Sequence, residues 1–181
     1  MIPESAKWKA TLIITKFKDA DSIVEAASRV GASSEMLRQR FSQHFLGQEV
    51  HEGNMLVYLG ITGIWKLIAG LSSPPAVWNN AGAKIRVGTG SGAAAKADTL
   101  ATFTSPVDKG MDASYPQTIG TNNDTCSWKA TYGSGDANQA WNEFGVINSD
   151  GTPVLLNRFV TSKGTKASGE TWTCEIQIQL S

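Results

Sequence analysis

The sequence predicts a mainly β protein: an antiparallel β-sandwich, jelly-roll-like, carrying an N-terminal helical-hairpin insert and one further short helix. Three observations lead there. Apolar and polar residues alternate with period two over Lys7–Phe17 and repeatedly from Ala83 onward. Glycine, asparagine and aspartate turns separate these runs. Only between Asp21 and Gly47, and again over Gly60–Leu71, does the apolar spacing become three to four.

In the first strand, Trp8, Ala10, Leu12 and Ile14 alternate with Lys9, Thr11 and Thr15. The helical pair follows. Ser22-Ile-Val-Glu25 has the form of a capping box, Ile23, Val24, Ala27 and Val30 mark an apolar side, and Gly31 suits a helix C-terminus. Ser33 or Ser34 then caps a second helix bearing Met36, Leu37, Phe41 and Phe45, which Gly47 ends. A strand is expected over Asn54–Leu59, and a helix with Ile61, Ile64, Trp65, Leu67 and Ile68 on one face over Gly60–Leu71.

From Ala83 the text is β. Ala83, Ile85 and Val87 face one way, Thr99–Thr104 reads as a short strand, and Asp108–Asp124 is rich in turns. Cys126, Trp128, Ala130 and Tyr132 form the next apolar face, Trp141–Asn148 another strand, and Ser149-Asp150-Gly151 a hairpin turn leading to Val154–Val160. Glu170–Leu180 is the clearest strand, with Trp172, Cys174, Ile176, Ile178 and Leu180 on one face, so it is expected at the centre of a sheet. The 181 residues are expected to form one domain, 1–181, with residues 19–48 as a hairpin insertion within it.

The function classes this composition disfavours are several. At 41% hydrophobic and 18% charged, with a formal net charge of zero, the chain is neither disordered in character nor broadly basic. The start lacks the continuous apolar run of a signal peptide, and Gly60, Thr62, Gly63 and Lys66 interrupt the most apolar stretch. Cys126 and Cys174 are expected to be buried and reduced, and with His44 and His51 they are too sparse for a zinc site, so no metal or cofactor is expected.

Motifs with catalytic potential are weak. Gly88-Thr-Gly90-Ser-Gly92-Ala93 formally fits G-x-G-x-x-A, but no apolar helix follows, which points to a turn or bulge loop. The helical pair has helix-turn-helix form, and Ser34, Glu35, Arg38 and Arg40 would be its DNA contacts; the surrounding acids Asp19, Asp21, Glu25 and Glu49 favour an αα-hairpin packed on the sheet or on a neighbour. Trp78 and Tyr115, in loops, could stack on a glycan, whereas Trp128 alternates with core residues. Trp141-Asn142-Glu143 reads as a frame element: the tryptophan buried, the asparagine bonding nearby backbone, and Glu143 satisfied by backbone amides or by Arg158 across the following hairpin. No catalytic residue is assigned.

The blocks KWKATLIITKF, EGNMLVYLGITGIWKLIAG, AGAKIRVGTG, KGMDASYP, GSGDANQAWNEFGVIN and LLNRFVTSKGTKASGETWT, taken in this order, resemble a widespread group of tailed-bacteriophage structural proteins over residues 6–17 and 50–181. The segment Lys18–Gln48 departs from that pattern and looks like an insertion special to this chain. The resemblance implies a non-enzymatic virion component, capsid-decorating or associated with neck or tail fibre, made in the bacterial host cytoplasm and built on a β-sandwich. Its expected partners are copies of itself, a trimer preferred, and other virion proteins such as capsid, neck or tail components, without nucleic acid or membrane. Trp141, Asn142, Glu143, Arg158 and Trp172 are its expected structural residues.

Overall fold

The computed structural model describes residues 8–53, 55–149 and 152–180. Ten strands form two antiparallel five-stranded sheets. The first contains β1 (Trp8–Lys18), β2 (Phe45–Glu52), β6 (Gln117–Ile119), β7 (Thr125–Tyr132) and β10 (Glu170–Leu180), in the order β2-β1-β10-β7-β6. The second contains β3 (Met55–Leu56), β4 (Ala83–Gly88), β5 (Val107–Gly110), β8 (Glu143–Asn148) and β9 (Asn157–Val160), in the order β3-β9-β8-β4-β5. Three helices accompany them: α1 (Asp21–Arg29), α2 (Ser34–Arg40) and α3 (Tyr58–Ile68).

The two sheets share one core, as in a β-sandwich. Leu12 and Ile14 of β1, Ala130 and Tyr132 of β7, and Trp172, Cys174, Ile176 and Ile178 of β10 meet Ile85 and Val87 of β4, Phe144 and Val146 of β8, and Phe159 of β9. These are the period-two faces read in the sequence. The central place of β10 follows from its length and its four buried apolar side chains; the fifth, Leu180, is exposed at the strand end. Cys126 and Cys174 are both free; Cys126 lies opposite Ile178 and Cys174 opposite Ala130, four residues apart along the ladder. That separates them by about 13 Å at the usual rise per residue, too far for a disulfide.

Several boundaries differ from the sequence reading. The second helix stops at Arg40, and Phe45–Gln48 belong to β2, so the helical hairpin is shorter than 19–48. Phe45 packs edge-on against Phe17, 6.0 Å between ring centres, and this contact with β1 overrides the helical spacing. The Ser22–Glu25 capping box does not form: Ala20 precedes α1 without a side-chain cap, and Asp21 occupies its first turn. Ser33 does cap α2, its hydroxyl accepting from the Met36 amide at 3.2 Å, and Gly31 takes φ +85° between the helices. In place of the expected Thr99–Thr104 strand there is a 3-10 turn, Leu100–Thr102, with a capping box between Thr99 and Thr102. Of the expected 54–59 strand only Met55–Leu56 remains, and α3 begins at Tyr58; Asn54, like Lys7 and the Asp150-Gly151 turn, lies outside the described residues.

Helix α3 is seated by glycines. Gly60 and Gly63 are its buried positions, while Trp65 and Ile68, expected on its apolar face, are exposed. A methyl group at Gly60 would collide with the Leu156 carbonyl, and one at Gly63 would stand 2.7 Å from the Trp78 ring. The helix therefore lies closer to the Leu156 backbone and the Trp78 ring than any larger residue allows. Gly60→Ala is expected to lower stability by about 1–3 kcal/mol through this overpacking, seen as a lower urea midpoint, whereas Gly92→Ala, which meets open space, leaves the midpoint in place.

Candidate functional site

A cluster of buried charge sits on the outer face of the second sheet. Glu143 opens β8 opposite Val160 of β9, and Arg158 lies two residues from Val160 on the same face, a diagonal cross-strand neighbour. The two side chains form an ion pair, both almost completely buried. The second guanidinium nitrogen, Nη1, donates to Asp98 Oδ2 at 2.8 Å, and that oxygen also accepts from the Ala95 amide at 2.7 Å. The other carboxylate oxygen of Glu143, Oε2, accepts from the amides of Gly90 and Thr104, each at 2.9 Å. Burial disfavours the Arg158 charge, but the bonds to Glu143 and Asp98 outweigh it and hold its pKa above the ordinary value.

This arrangement explains the glycine-rich run after β4. A Cβ on Gly88 would lie 2.6 Å from Glu143 Oε2, and one on Gly90 would overlap the carboxylate group. The G-x-G spacing lets backbone wrap a carboxylate of the chain itself. The segment from residue 89 to 106 then crosses the outer face of the sheet, where Phe103 and Leu100 pack with Val57, Ile147 and Leu155, and Arg158 stacks over Phe103 at 5.6 Å. Asn142 closes the frame: its amide donates to the Gly88 carbonyl and its side-chain nitrogen to the Thr89 carbonyl, both at 2.9 Å.

Trp141 turns the other way, into the core. Its ring meets Tyr132, Trp172 and Phe144 edge-to-face at 4.7, 5.0 and 6.1 Å, and its indole nitrogen donates to the Ala137 carbonyl at 2.9 Å. Five residues expected to be structural are thus distributed over two neighbouring clusters: Trp141 and Trp172 inside the sandwich, Glu143 and Arg158 outside the second sheet, and Asn142 between. Asp98, the third member of the charged group, carries no signal in the sequence, because nothing local tells that its loop folds back over β9.

A second buried polar layer lies beneath the helical hairpin, on the outer face of the first sheet. Ser127, Lys129 and Thr131 of β7 and Thr171, Thr173 and Glu175 of β10 are buried there although their strands read as polar outward. Glu175 accepts from the hydroxyls of Ser34 at 2.7 Å and Ser127 at 2.8 Å. Lys129 donates to the Ala32 carbonyl at 2.6 Å and pairs with Asp112 at 3.1 Å. At the start of α1, Asp21 accepts from the Ser134 amide and hydroxyl and from the Thr171 hydroxyl.

These contacts place the remaining candidates. Ser34 is buried against Glu175 and faces away from any nucleic acid, because the hairpin rests on the sheet through that side; Arg38 is paired with Glu35 at 2.7 Å on the exposed side, and Arg40 lies over Phe41. Trp78 and Tyr115 are not open loop aromatics. Trp78 is packed against Gly63 and its carbonyl accepts from Trp128; Tyr115 is buried beside Lys129, and burial pushes its pKa up. Neither offers a face for stacking on sugar. Both loops are pinned: Asn80 donates to the carbonyls of Asp112 and Tyr115 at 3.0 and 2.6 Å.

Among the described residues no group of three or more His, Cys, Asp and Glu side chains is arranged to hold a metal ion, and no helix is long and apolar enough to cross a membrane. A polar cleft of about 350 Å³ opens beside α1, lined by Glu25, Arg29, Asn80, Lys109 and Asp112 among others, and its charges are engaged with one another, with Asp136 or with Lys129. Comparison with protein-family models, with curated proteins and with solved structures returns no match.

Two outcomes are expected. Arg158→Ala strands a buried carboxylate and should cost about 3–5 kcal/mol, together with protease sensitivity in the 89–106 segment; Glu143→Gln with Arg158→Met, which keeps an acceptor for the two amides, recovers part of the loss. For Asp21, burial alone would raise the pKa, but the hydrogen bonds from Ser134 and Thr171, with Lys166 nearby, outweigh it and lower it. A carboxyl depressed on folding stabilises above its unfolded pKa and loses that contribution as pH falls through the folded value. Asp21→Asn should therefore flatten the acid limb of the stability profile below about pH 4, measured by urea unfolding at stepped pH.

Proposed function

We propose that this chain is a structural building block of a bacteriophage particle, packing against copies of itself and against neighbouring virion proteins without catalysing a reaction. In this reading the sandwich is jelly-roll-like and the α1–α2 hairpin is an insertion carried on it. The observation that carries the proposal is how the side chains are divided between inside and outside. The buried charges Glu143, Arg158, Asp98, Lys129 and Glu175 fix loops and the hairpin onto sheets. Large apolar side chains are left outside instead: Tyr58, Trp65 and Ile68 on α3, Val30 and Met36 on the hairpin, and Val50 on β2. Exposed apolar residues in such number suit protein–protein packing, and zero net charge lets copies approach without mutual repulsion.

The blocks behind the bacteriophage resemblance support the same reading. The A-N-x-x-W-N-E and L-N-R blocks supply Trp141, Asn142, Glu143 and Arg158, whose work in this fold is to hold strands and a loop together. Glu143 is wholly buried and both its oxygens are engaged within the chain, so no substrate atom can approach it as a general base must. The glycan-binding alternative loses Trp78 and Tyr115 to the core, and the DNA-contacting one loses Ser34 to the hairpin contact, while Arg38 stays exposed but tied to Glu35.

Light scattering of the purified chain should give a mass above 19.3 kDa, and electron microscopy of particles lacking the chain should show a missing or misassembled feature. Glu143→Gln is expected to reduce soluble yield and incorporation into particles while altering no turnover on glycan or nucleotide. A hydrolytic activity abolished by that substitution would overturn the proposal.

A further inference from the structure

Among the described residues the first sheet ends in an open edge. β2 is eight residues long, whereas the other edge strands, β3, β5 and β6, run to two, four and three. β2 contains neither proline nor lysine, two of the usual devices that keep an edge from pairing. Its one irregularity is a bulge at Leu46, opposite the Lys16–Phe17 step, which leaves Gly47–Glu52 straight.

The direction of the free backbone groups is fixed by one bond. The Gly53 amide donates to the Ala10 carbonyl at 3.1 Å, one step beyond the Thr11–Glu52 pair. In an antiparallel ladder such bonds recur at every second residue, so His51 and Glu49 bond to β1, while Gln48, Val50 and Glu52 present their N–H and C=O groups outward. No backbone bond from these three to another element is found among the described residues.

We propose that this edge pairs with the β2 edge of a second copy, antiparallel about a two-fold axis at Val50, joining the two five-stranded sheets into one of ten. The inference rests on the reading of the chain as self-associating and names the surface. The register is chosen by complementarity. An axis at Val50 sets Gln48 opposite Glu52 of the copy and Glu49 opposite His51 of the copy, and places Val50 against Val50. Val50 neighbours the half-buried Ile13 on the same face, so an apolar row of four side chains crosses the axis. An axis at Glu49 would set two carboxylates against each other, and one at Gln48 would draw the bulged Leu46 into the ladder. The Val50 axis uses only the straight run and supplies about six backbone hydrogen bonds from three narrow pairs. A two-fold contact of this kind is closed and gives a dimer, in place of the trimer expected from the resemblance.

The test is the solution mass of the full chain across a concentration series, with three variants. Val50→Pro removes an outward N–H that β1 does not use, so the fold is retained and the dimer dissociation constant should rise at least about tenfold. Val50→Lys places two ammonium groups across the axis and should give the same loss should proline disturb the strand. Val50→Cys should cross-link to itself on mild oxidation, the narrow-pair spacing falling in the disulfide range; Gln48→Cys should cross-link only when mixed with Glu52→Cys. An oligomer unchanged by both Val50→Pro and Val50→Lys would overturn this surface while leaving self-association standing. A chain that stays monomeric at every concentration would overturn both.

Discussion

The whole outer half of the second sheet hangs on one carboxylate. Glu143 is wholly buried, and it is tolerable there only because a guanidinium and two amides converge on it. Each partner arrives from a different part of the chain: Arg158 from the next strand, Gly90 from the turn after β4, and Thr104 from the far end of the loop that folds back. Satisfying one charge therefore fixes a strand pair, a turn and a loop at once. Such a pair adds little net stability compared with a well-packed apolar substitute, but its directional bonds leave the loop a single arrangement.

The helical hairpin is attached by different means and with different consequences. It has a small apolar cluster of its own, in which Val24, Ala27, Leu37 and Phe41 meet Phe17, and otherwise rests on hydroxyls, a lysine and carboxylates. Apart from the Thr173 hydroxyl, the polar layer under it is engaged, so the hairpin is an integral third layer over part of the first sheet, not a tethered accessory. That attachment turns Ser34 inward and leaves the exposed side of α2 with Arg38 tied to Glu35, a poor surface for phosphate.

What the sequence made legible was the repeating part. Strands β1, β4, β7 and β10 follow from alternation alone, because each has one face that must be buried in the sandwich. The ion pair of Glu143 with Arg158 was legible because a single short connection separates the two strands. Besides Asp98, three things were hidden. Ser127, Lys129, Thr131 and Glu175 look like a solvent face, since nothing in a strand tells that a helical pair from elsewhere will cover it. Trp78 and Tyr115 look open because loops carry no periodicity from which to infer their cover. Phe45 carries helical spacing with Phe41, yet the ring of Phe17 draws it into a strand. In each case a long-range contact decides what local pattern cannot.

The pairing of β1 with β10 sets Trp8 opposite Leu180 and Lys18 opposite Glu170, so the middle of the first sheet is assembled from opposite ends of the described chain. β7 and β1 become neighbours of the same strand only once β10 has slotted between them. Until β10 is in place, the first sheet is two half-sheets with unpaired edges and uncovered apolar faces. Non-local closure of this kind is slow, and β10 acts as the keystone that joins the two halves.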